Sequence, residues 1–429
     1  MLFRLFFILV LLFSSLPLSG RSEEKDPLLK MGGEVRLRSE TNLNFDAFMP
    51  GRSAVDDDSF ILLRVRPYLE STPTEQVHLF IQPQFSRSFA QEESTLANGL
   101  NIDDFDLHQG YVDFQHLVDD HVDIRLGRQE LAYGDERLIG ALNWSNVGRS
   151  FDAGRIKIKG EKVWADLFGS WIQRAGGNQY LFGLYNHWDI IPKKDNKDFL
   201  VDEPYYLLFR DNDAGLGGGD LTIHTLGNRL AGKTNVWDYA VEAALQLGES
   251  GVSDLFAYAA HGHVGYTFDA SWKPRIGLEY NLASGDDAPA AGKVKTFNNL
   301  LPTNHDKYGY MDVVALRNIH NPRVSFQVQP TDKWTASLDY HLFFLMEPAS
   351  GLFQATGAQV RAGAPGISSF AGQEIDALVK YKWNKWAQFL VGYSYFKTGG
   401  FFEDTAGSTK DAHFIYAQTV VNFDVVVKE

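Results

Sequence analysis

Segments in which apolar and polar residues alternate recur along almost the whole chain, and they restrict the fold more than any other feature. Val122–Leu126 and Arg155–Lys159 are two examples. Because successive side chains on a β-strand point to opposite faces, each segment has one apolar and one charged face. Few stretches carry apolar residues at the i, i+3, i+4 and i+7 spacing of an amphipathic helix. The pattern predicts an all-β protein whose strands separate an apolar from a polar environment.

Length helps to choose between the all-β architectures. A chain of 429 residues normally divides into two or three domains, yet no Pro-rich or Ser-rich linker divides this one. One large closed barrel removes the conflict, with its apolar face toward lipid and its polar face toward the lumen. An aromatic content of 14% and 39 glycines suit interfacial aromatic residues and many turns. A periplasmic β-sandwich or propeller remains the alternative, although no blade-type repeat is visible.

The first twenty residues indicate export. Arg4 precedes the apolar run Leu5–Phe13, and small and turn-forming residues follow up to Gly20. This order is typical of a secretory signal peptide, and the apolar run is too short for a comfortable transmembrane helix. We predict a cleaved signal peptide over residues 1–20 and an outer-membrane β-barrel over residues 21–429, with an uncleaved anchor as the alternative. The expected location is the bacterial outer membrane.

The number of alternating segments sets the expected size of the barrel. Roughly 16 to 19 segments can be counted, and a single-chain bacterial barrel needs an even number. We predict a single transmembrane antiparallel β-barrel of about 18 strands, with 16 as the alternative, long extracellular loops and short periplasmic turns. The residues predicted to face lipid include Val241, Ala243, Leu245, Leu247, Ile276, Leu278 and Tyr280.

Charge is distributed unevenly along the chain. The formal net charge is -14, which argues against nucleic acid as a partner. Residues 121–174 reverse this balance, with nine basic and seven acidic side chains. Any anion that the protein handles must meet such a local basic surface, because the overall field opposes it.

Several separated stretches resemble the alginate export family of outer-membrane porins. They are Gly127–Gln129 with Tyr133–Leu138, Trp144–Asn146 with Gly148–Asp152, Glu279–Asn281 with Ala283–Asp286, Thr296–Phe297 with Leu301–His305 and Tyr308–Asp312, and Gly372–Asp376. Their order and spread make the resemblance fairly specific. It implies a barrel of about 18 strands, with a lumen that loops narrow and basic residues line, and an acidic polysaccharide as the transported polymer.

Arginine suits this chemistry because its planar, permanently charged guanidinium can hold a carboxylate with two hydrogen bonds. The resemblance implies pore or substrate-binding roles for three arginines, and strand phase adds five further residues. The predicted set is Arg128, Arg149, Arg137, Arg125, Arg155, Lys157, Arg275 and Arg323. The alternative is that these side chains pair with Asp and Glu and only fill the lumen. Gly134, Gly140 and Gly148 interrupt any regular extension, and Arg137 and Trp144 supply docking groups. The loop between the segments Val122–Leu126 and Arg155–Lys159 is therefore predicted to fold into or over the pore, with a purely external loop as the alternative.

Other clusters of reactive side chains give weaker signals. His261 and His263 share a strand face without a third ligand nearby, so no metal is expected there. The acidic runs Asp56–Asp58 and Asp286–Asp287 could hold Ca²⁺, but solvated acidic loops are the usual case. No Ser and His pair occurs on an outward strand face, so we expect neither an enzyme nor any other cofactor.

The predicted function is an outer-membrane channel that passes an anionic, uronate-type polysaccharide or oligosaccharide through a basic lumen. A general or small-solute diffusion porin is the alternative. The expected partners are the outer-membrane lipid bilayer, the anionic polysaccharide and the barrel-assembly machinery. We expect a monomeric barrel that binds no nucleic acid.

Overall fold

The computed structural model describes residues 29–48, 57–89, 101–174, 177–193, 198–212, 214, 219–288, 292–354 and 356–427. The predicted signal peptide and Asp56 lie outside these residues, so cleavage stays a prediction. Within them, no helix is long and apolar enough to span a membrane. The helices among the described residues are single turns, at Phe45–Phe48, Pro348–Ser350 and Gly400–Glu403.

Almost all of the regular structure in the described chain is antiparallel β-sheet. The strands are β1 Leu29–Leu43, β2 Asp57–Thr74, β3 Val77–Phe89, β4 Asp103–Leu117, β5 Val122–Gln129, β6 Phe151–Lys159, β7 Val163–Arg174, β8 Gly177–Ile191, β9 Phe199–Asp211, β10 Leu221–Thr234, β11 Trp237–Ser250, β12 Ser253–Thr267, β13 Arg275–Ala283, β14 Lys293–Val294, β15 Ile319–Thr331, β16 Trp334–Phe344, β17 Leu352–Phe353, β18 Gln359–Arg361, β19 Phe370–Lys382, β20 Ala387–Thr398 and β21 Ala412–Val427. The short strands β14, β17 and β18 belong to loops.

The sheet closes on itself into one barrel. Of its 19 strands, β14 pairs only with β12, in parallel, and the other 18 follow one another as antiparallel neighbours. Closure comes from β1, which pairs with β2 on one side and with β21 on the other, from Leu29↔Val427 to Leu43↔His413. The prediction of a closed, antiparallel 18-stranded barrel is confirmed.

The two faces of the wall follow the alternation in the sequence. On β1, Arg36 and Arg38 are buried toward the interior, whereas Leu37 between them is 50% exposed on the outside. The predicted lipid-facing residues on β11 and β13 also point outward, for example Val241 at 58% and Leu278 at 54% exposed. Large exposed apolar side chains cost nothing in lipid, so this outer surface suits a membrane-embedded barrel.

The two ends of the barrel differ. At the end that holds Leu29 and Val427, neighbouring strands are joined by short connections such as 75–76, 160–162 and 235–236. The opposite end carries the long loops 130–150, 284–318 and 345–369. Short turns mark the periplasmic end of an outer-membrane barrel and long loops its extracellular end.

Two of the long loops pack inside the barrel. We call residues 130–150 loop A and residues 284–318 loop B. Leu131, Leu138 and Ile139 of loop A and Phe297 and Val314 of loop B are buried in one apolar cluster with inward-facing wall residues. At the height of these loops, the lumen is therefore narrowed by a packed apolar core. This core fixes the position of the polar side chains of both loops.

Candidate functional site

Loops A and B form one plug. Gly140 N donates to Leu301 O at 2.9 Å, Leu301 N donates to Leu138 O at 2.9 Å, and Ile139 pairs with Leu301 in an isolated β-bridge. Farther along, the Trp144 ring stacks on His305 with centroids 3.7 Å apart. The prediction that the loop between β5 and β6 folds into the pore is confirmed.

Four arginines of β1 and β2 hold loop A against one side of the wall. Their partners lie in Asn143–Val147, which we call the strap. Arg36 donates to Asn143 O at 2.8 Å and to Ser145 O at 2.9 Å. Arg64 donates to the same two carbonyls at 3.0 and 3.1 Å. The backbone of the strap is therefore bound mainly by guanidinium groups of the barrel wall.

Arg66 and Arg38 complete this contact. Arg66 donates to Asn143 Oδ1 and to Val147 O, both at 2.9 Å. A Cβ on Gly148, whose φ is +76°, would lie 2.4 Å from Arg66 Nη2, so only glycine lets the guanidinium approach the loop here. Arg38 donates to Trp144 O at 2.7 Å, and its Cζ lies 3.8 Å from the centre of the Trp144 ring.

Arg137 anchors loop A to the opposite wall. It donates to Tyr308 Oη of loop B at 3.0 Å and to Asn281 Oδ1 of β13 at 3.3 Å, and it lies 3.3 Å from Glu279 Oε1. Its Nη2 is 3.1 Å from His261 Nε2 on β12. Arg137 thus lies inside the barrel as predicted, but it holds the plug together rather than facing an open lumen.

Arg149 also lies inside the plug, where it joins loop A to loop B. Its Nη1 donates to Gly140 O at 3.0 Å, Leu301 O at 2.5 Å and Pro302 O at 3.0 Å, which ties loop A to loop B. Burial lowers the pKa of Arg149 to about 10, and the charge of Glu136 opposes this shift. The group stays charged at neutral pH with its donors directed at backbone carbonyls, so its side chain binds the plug instead of lining the pore.

Four predicted pore residues lie on the lumenal face of the wall, each next to a carboxylate. Arg125 is paired with Asp113 at 2.6 Å and Arg155 with Asp166 at 3.5 Å. Arg275 is paired with Asp238 at 2.5 Å, and Arg323 with Asp339 at 2.9 Å and with Glu279 at 3.3 Å. Their side chains are 16–25% exposed, unlike the almost fully buried arginines that hold the strap.

Lys157 also points into the lumen. It lies on the same face of β6 as Arg155, two residues away, and its Nζ is 3.9 Å from the centre of the Trp164 ring of β7. A cation over an aromatic face is attracted by the electron-rich ring without being neutralised. Lys157 therefore lies at the lumenal surface in contact with an aromatic ring.

Arg128 does not lie at its predicted place in the lumen. Its Nε donates to Asp152 Oδ1 at 2.7 Å and its Nη2 to Asp152 Oδ2 at 3.0 Å, and Asp152 is the cross-strand partner of the outward-facing Trp171. Leu126, two residues before Arg128 on the same face, is 48% exposed to the outside. The prediction that Arg128 lines the pore is wrong, because it is three residues from the lumenal Arg125 and so points to the opposite face of β5.

Two cavities extend beneath the plug. One, of about 420 Å³, is lined by the bases Arg137, Arg275, Lys307 and Arg323, with His263, and by the acids Asp135, Glu136, Glu279 and Asp306. The other, of about 520 Å³, is lined among others by Lys30, Arg64, Arg66, Lys385, Glu34 and Glu130. The lumenal surface is therefore a mixture of both charges with many arginines, rather than uniformly basic.

The predicted ion-binding alternatives have their polar groups engaged. His261 Nε2 lies 3.2 Å from His263 Nδ1, within the contacts of Arg137. Asp286 accepts from the backbone N–H of Ala288 at 3.0 Å, and Asp287 pairs with Lys295. Among the residues that the structure describes, no group of three or more His, Cys, Asp or Glu side chains could hold a metal ion. Calcium in the acidic loops stays a prediction.

Five further arginines of the site were not predicted from the sequence: Arg36, Arg38, Arg64, Arg66 and Arg229. Arg229 on β10 pairs with Asp135 of loop A and with Glu203 of β9, both at 2.6 Å. The alternation of β1 and β2 signals that the first four face the lumen. Their contacts with loop A join residues about 80 to 110 positions apart, which a strand pattern cannot reveal.

Barrel closure, an apolar outer band and a plugged polar lumen define an outer-membrane channel of the porin type. A sequence model described as alginate export matches residues 28–416, so the chain belongs to the alginate export family. No curated protein sequence matches it significantly.

Solved structures share the fold at low identity. The chain is similar to OccK11 (OpdR) of Pseudomonas aeruginosa, with 10% identity, a TM-score of 0.60 and coverage of 95% of this chain and 100% of that one. OprD of Pseudomonas aeruginosa gives 10% identity, a TM-score of 0.59 and coverage of 96% and 98%. A BenF-like porin from Pseudomonas fluorescens Pf-5 gives 8% identity, a TM-score of 0.61 and coverage of 92% and 99%.

Proposed function

We propose that this outer-membrane channel passes an anionic, uronate-type polysaccharide or oligosaccharide. The observation that carries the proposal is the set of partly exposed lumenal arginines, Arg125, Arg155, Arg275 and Arg323, each beside a carboxylate of the wall. Membership of the alginate export family points to the same class of substrate.

The chemistry of these pairs suits a polymer with about one carboxylate per sugar. A guanidinium that already binds a carboxylate can exchange that partner for one on the passing chain, at little net cost in hydrogen bonds. The wall carboxylate then competes for the guanidinium and promotes release. Conduction needs several such sites, each attractive enough for entry and weak enough for exit.

Arg275 shows how the wall makes room for such an exchange. Its guanidinium lies over Gly265 and Gly277, where an added Cβ would come within 2.1 and 2.9 Å of its terminal nitrogens. The two glycines allow the planar group to lie along the wall beside the 420 Å³ cavity, which Arg323 and Lys307 also line. Three cations of the wall and loop B thus line one cavity, together with four acidic side chains.

A small-solute diffusion porin is the second candidate, and the ion pairing favours it. Because carboxylates already balance the lumenal arginines, the time-averaged field in the lumen is weaker than the number of arginines suggests. A small zwitterionic or neutral solute would then cross without specific binding.

Measurements in planar bilayers separate the two candidates. In a KCl gradient, a polyuronate channel should show a reversal potential of the sign that indicates anion selectivity. Tri-galacturonate should reduce its small-ion current. Maltotriose, a neutral sugar of the same length, is the control and should reduce the current far less. Equal effects of the two sugars, together with a reversal potential near zero, would support the diffusion porin.

A further inference from the structure

One residue of the strap, Asn143, offers two oxygen atoms to three guanidinium groups. Its backbone oxygen accepts from Arg36 Nη1 at 2.8 Å and from Arg64 Nη1 at 3.0 Å. Its side-chain Oδ1 accepts from Arg66 Nη1 at 2.9 Å. Three permanent positive charges are therefore directed at two neutral oxygens of a single residue.

Those oxygens occupy a position that suits a carboxylate. Guanidinium groups bind the two oxygens of a carboxylate with charge-assisted hydrogen bonds, which are about twice as strong as bonds to neutral acceptors. Asn143 supplies two oxygens and no charge, so it satisfies the geometry of the donors without matching their electrostatics.

The local charge balance leaves the site positive. Arg64 is paired with Glu34 at 2.7 Å, and Arg66 lies 3.7 Å from Glu130, which also binds His108. The hydrogen bonds that Arg36 makes within the described chain go to neutral acceptors of the strap, at Asn143, Ser145 and Asn146. Three guanidiniums thus face two carboxylates, and one positive charge is left over for a further anion.

The site can be reached from the lumen. Asn143 is exposed, although the arginines behind it are buried. The 520 Å³ cavity is lined by Asn143, Arg64 and Arg66, and also by Lys385 and Trp386 of the connection between β19 and β20. That connection is at the end with the short turns, so the cavity lies on the periplasmic side of the plug.

We infer that Arg36, Arg64 and Arg66 form a carboxylate-binding site on the periplasmic side of the plug, and that Asn143 occupies it as a neutral competitor from the same chain. A carboxylate that arrives from the cavity takes the guanidinium donors of Asn143 and weakens the hold of the wall on the strap. Ligand arrival is thereby coupled to loosening of the plug. The identity of the ligand as a uronate rests on the proposed function.

Two nearly isosteric changes at Asn143 test this competition in the full-length protein in planar bilayers. Asn143→Asp places a tethered carboxylate in the site, so about tenfold more tri-galacturonate should be needed for half-maximal block. Asn143→Ala removes the side-chain competitor and should lower that concentration several-fold. Asn298→Asp and Asn298→Ala are matched controls, because Asn298 lies in loop B and its Oδ1 accepts only from a backbone N–H in the described chain, that of Leu300. They should leave the concentration unchanged.

Thermal melting gives a second measurement that needs no sugar. A carboxylate on three guanidiniums should make Asn143→Asp melt at a higher temperature than the wild type, and Asn143→Ala at a lower one. If both Asn143 variants are blocked at the wild-type concentration, or if Asn143→Asp melts no higher than the wild type, the inference is wrong. If tri-galacturonate blocks no variant while Asn143→Asp melts higher, the carboxylate site is supported and the uronate substrate is rejected.

Discussion

The lumenal arginines of the β1 and β2 wall differ from those of the β13 and β15 wall. Arg36 and Arg64 are 3% exposed and bind backbone carbonyls of loop A, and Arg64 also pairs with Glu34 of the wall at 2.7 Å. Arg275 and Arg323 are 25% and 16% exposed in their side chains and bind mainly carboxylates of the wall, although Arg323 also donates to Asp306 O of loop B at 3.1 Å. Arginines on the same face of one sheet thus have different roles. Those whose acceptors are in loop A hold the plug, and those whose acceptors are wall carboxylates line the lumen.

The two kinds of acceptor differ in mobility. A backbone carbonyl of the strap can leave its guanidinium only if loop A moves, whereas a carboxylate side chain can change its rotamer while the wall stays in place. We therefore expect the first wall to control whether the plug stays closed, and the second to control which ions pass.

Removal of the plug should have the largest effect. Deletion of residues 134–147 takes out the strap together with Arg137, so both anchors of loop A are lost. Single-channel conductance should rise several-fold, because one of the two loops that narrow the lumen is lost, with Leu138 and Ile139 of the apolar cluster. The barrel should still fold, since its strands keep their neighbours. An unchanged conductance with intact heat-modifiable mobility on gels would contradict the plug.

Loss of one arginine that holds the strap should have the second-largest effect. Arg36→Met keeps much of the side-chain volume but leaves two carbonyls of the strap without this donor. Both carbonyls still accept from Arg64, so the loss is that of hydrogen bonds to a charged group, about 1.5 to 3 kcal/mol each. We expect a lower melting temperature, frequent brief openings in single-channel records and faster proteolysis of loop A. Small-ion preference should change little because Arg36 is almost fully buried, whereas block by tri-galacturonate should weaken because Arg36 belongs to the inferred carboxylate site. A large shift in the reversal potential without added openings would place Arg36 in the ion path instead.

Substitutions on the β13 and β15 wall should change ion selectivity rather than the frequency of plug opening. Arg275→Gln and Arg323→Gln remove charges from the 420 Å³ cavity. The reversal potential should move toward cation preference, additively for the two changes, and block by tri-galacturonate should weaken. Arg275 and Asp238 are both partly exposed, so Arg275→Gln should lower stability by only about 1 kcal/mol. Asp339 is buried, so Arg323→Gln should cost more, about 3 kcal/mol. Frequent openings like those of Arg36→Met would show that this wall also holds the plug.

Acid should loosen the plug through Asp135. Burial alone would raise the pKa of this loop A carboxyl, but the charges of Arg229 and Arg137 outweigh burial and hold its pKa below the usual value. Such a group stabilises the folded state above its unfolded pKa, and this contribution is lost as pH falls through the folded pKa, here below about 3.8. Conductance measured from pH 7 to pH 3 should show more openings only at the acidic end. Asp135→Asn should show them already at pH 7.

Strand phase explains how much of this could be predicted from the sequence. Alternation identified the barrel, its lipid face and the lumenal positions of Arg125, Arg155 and Arg275, since each depends only on neighbouring residues. The partners of Arg36 and Arg64 are in a loop about 80 to 110 residues away, and no local pattern contains that contact. Arg128 was placed in the pore from a family motif, although its odd separation from Arg125 already put it on the other face of a regular strand.

Arg128 should have the smallest effect on permeation, and Arg125 offers a matched control on the same strand. In Arg128→Gln the lost charge lies on the outer face beside Asp152, with the barrel wall between it and the lumen. The reversal potential and the half-blocking concentration of tri-galacturonate should match the wild type, while the unpaired Asp152 lowers the melting temperature. Arg125→Gln removes an equal charge three residues away but inside the lumen, beside Asp113, and should shift the reversal potential toward cations. If Arg128→Gln shifts it as far as Arg125→Gln does, β5 does not keep its alternation up to Gln129, and the assignment of faces near the plug must be reversed.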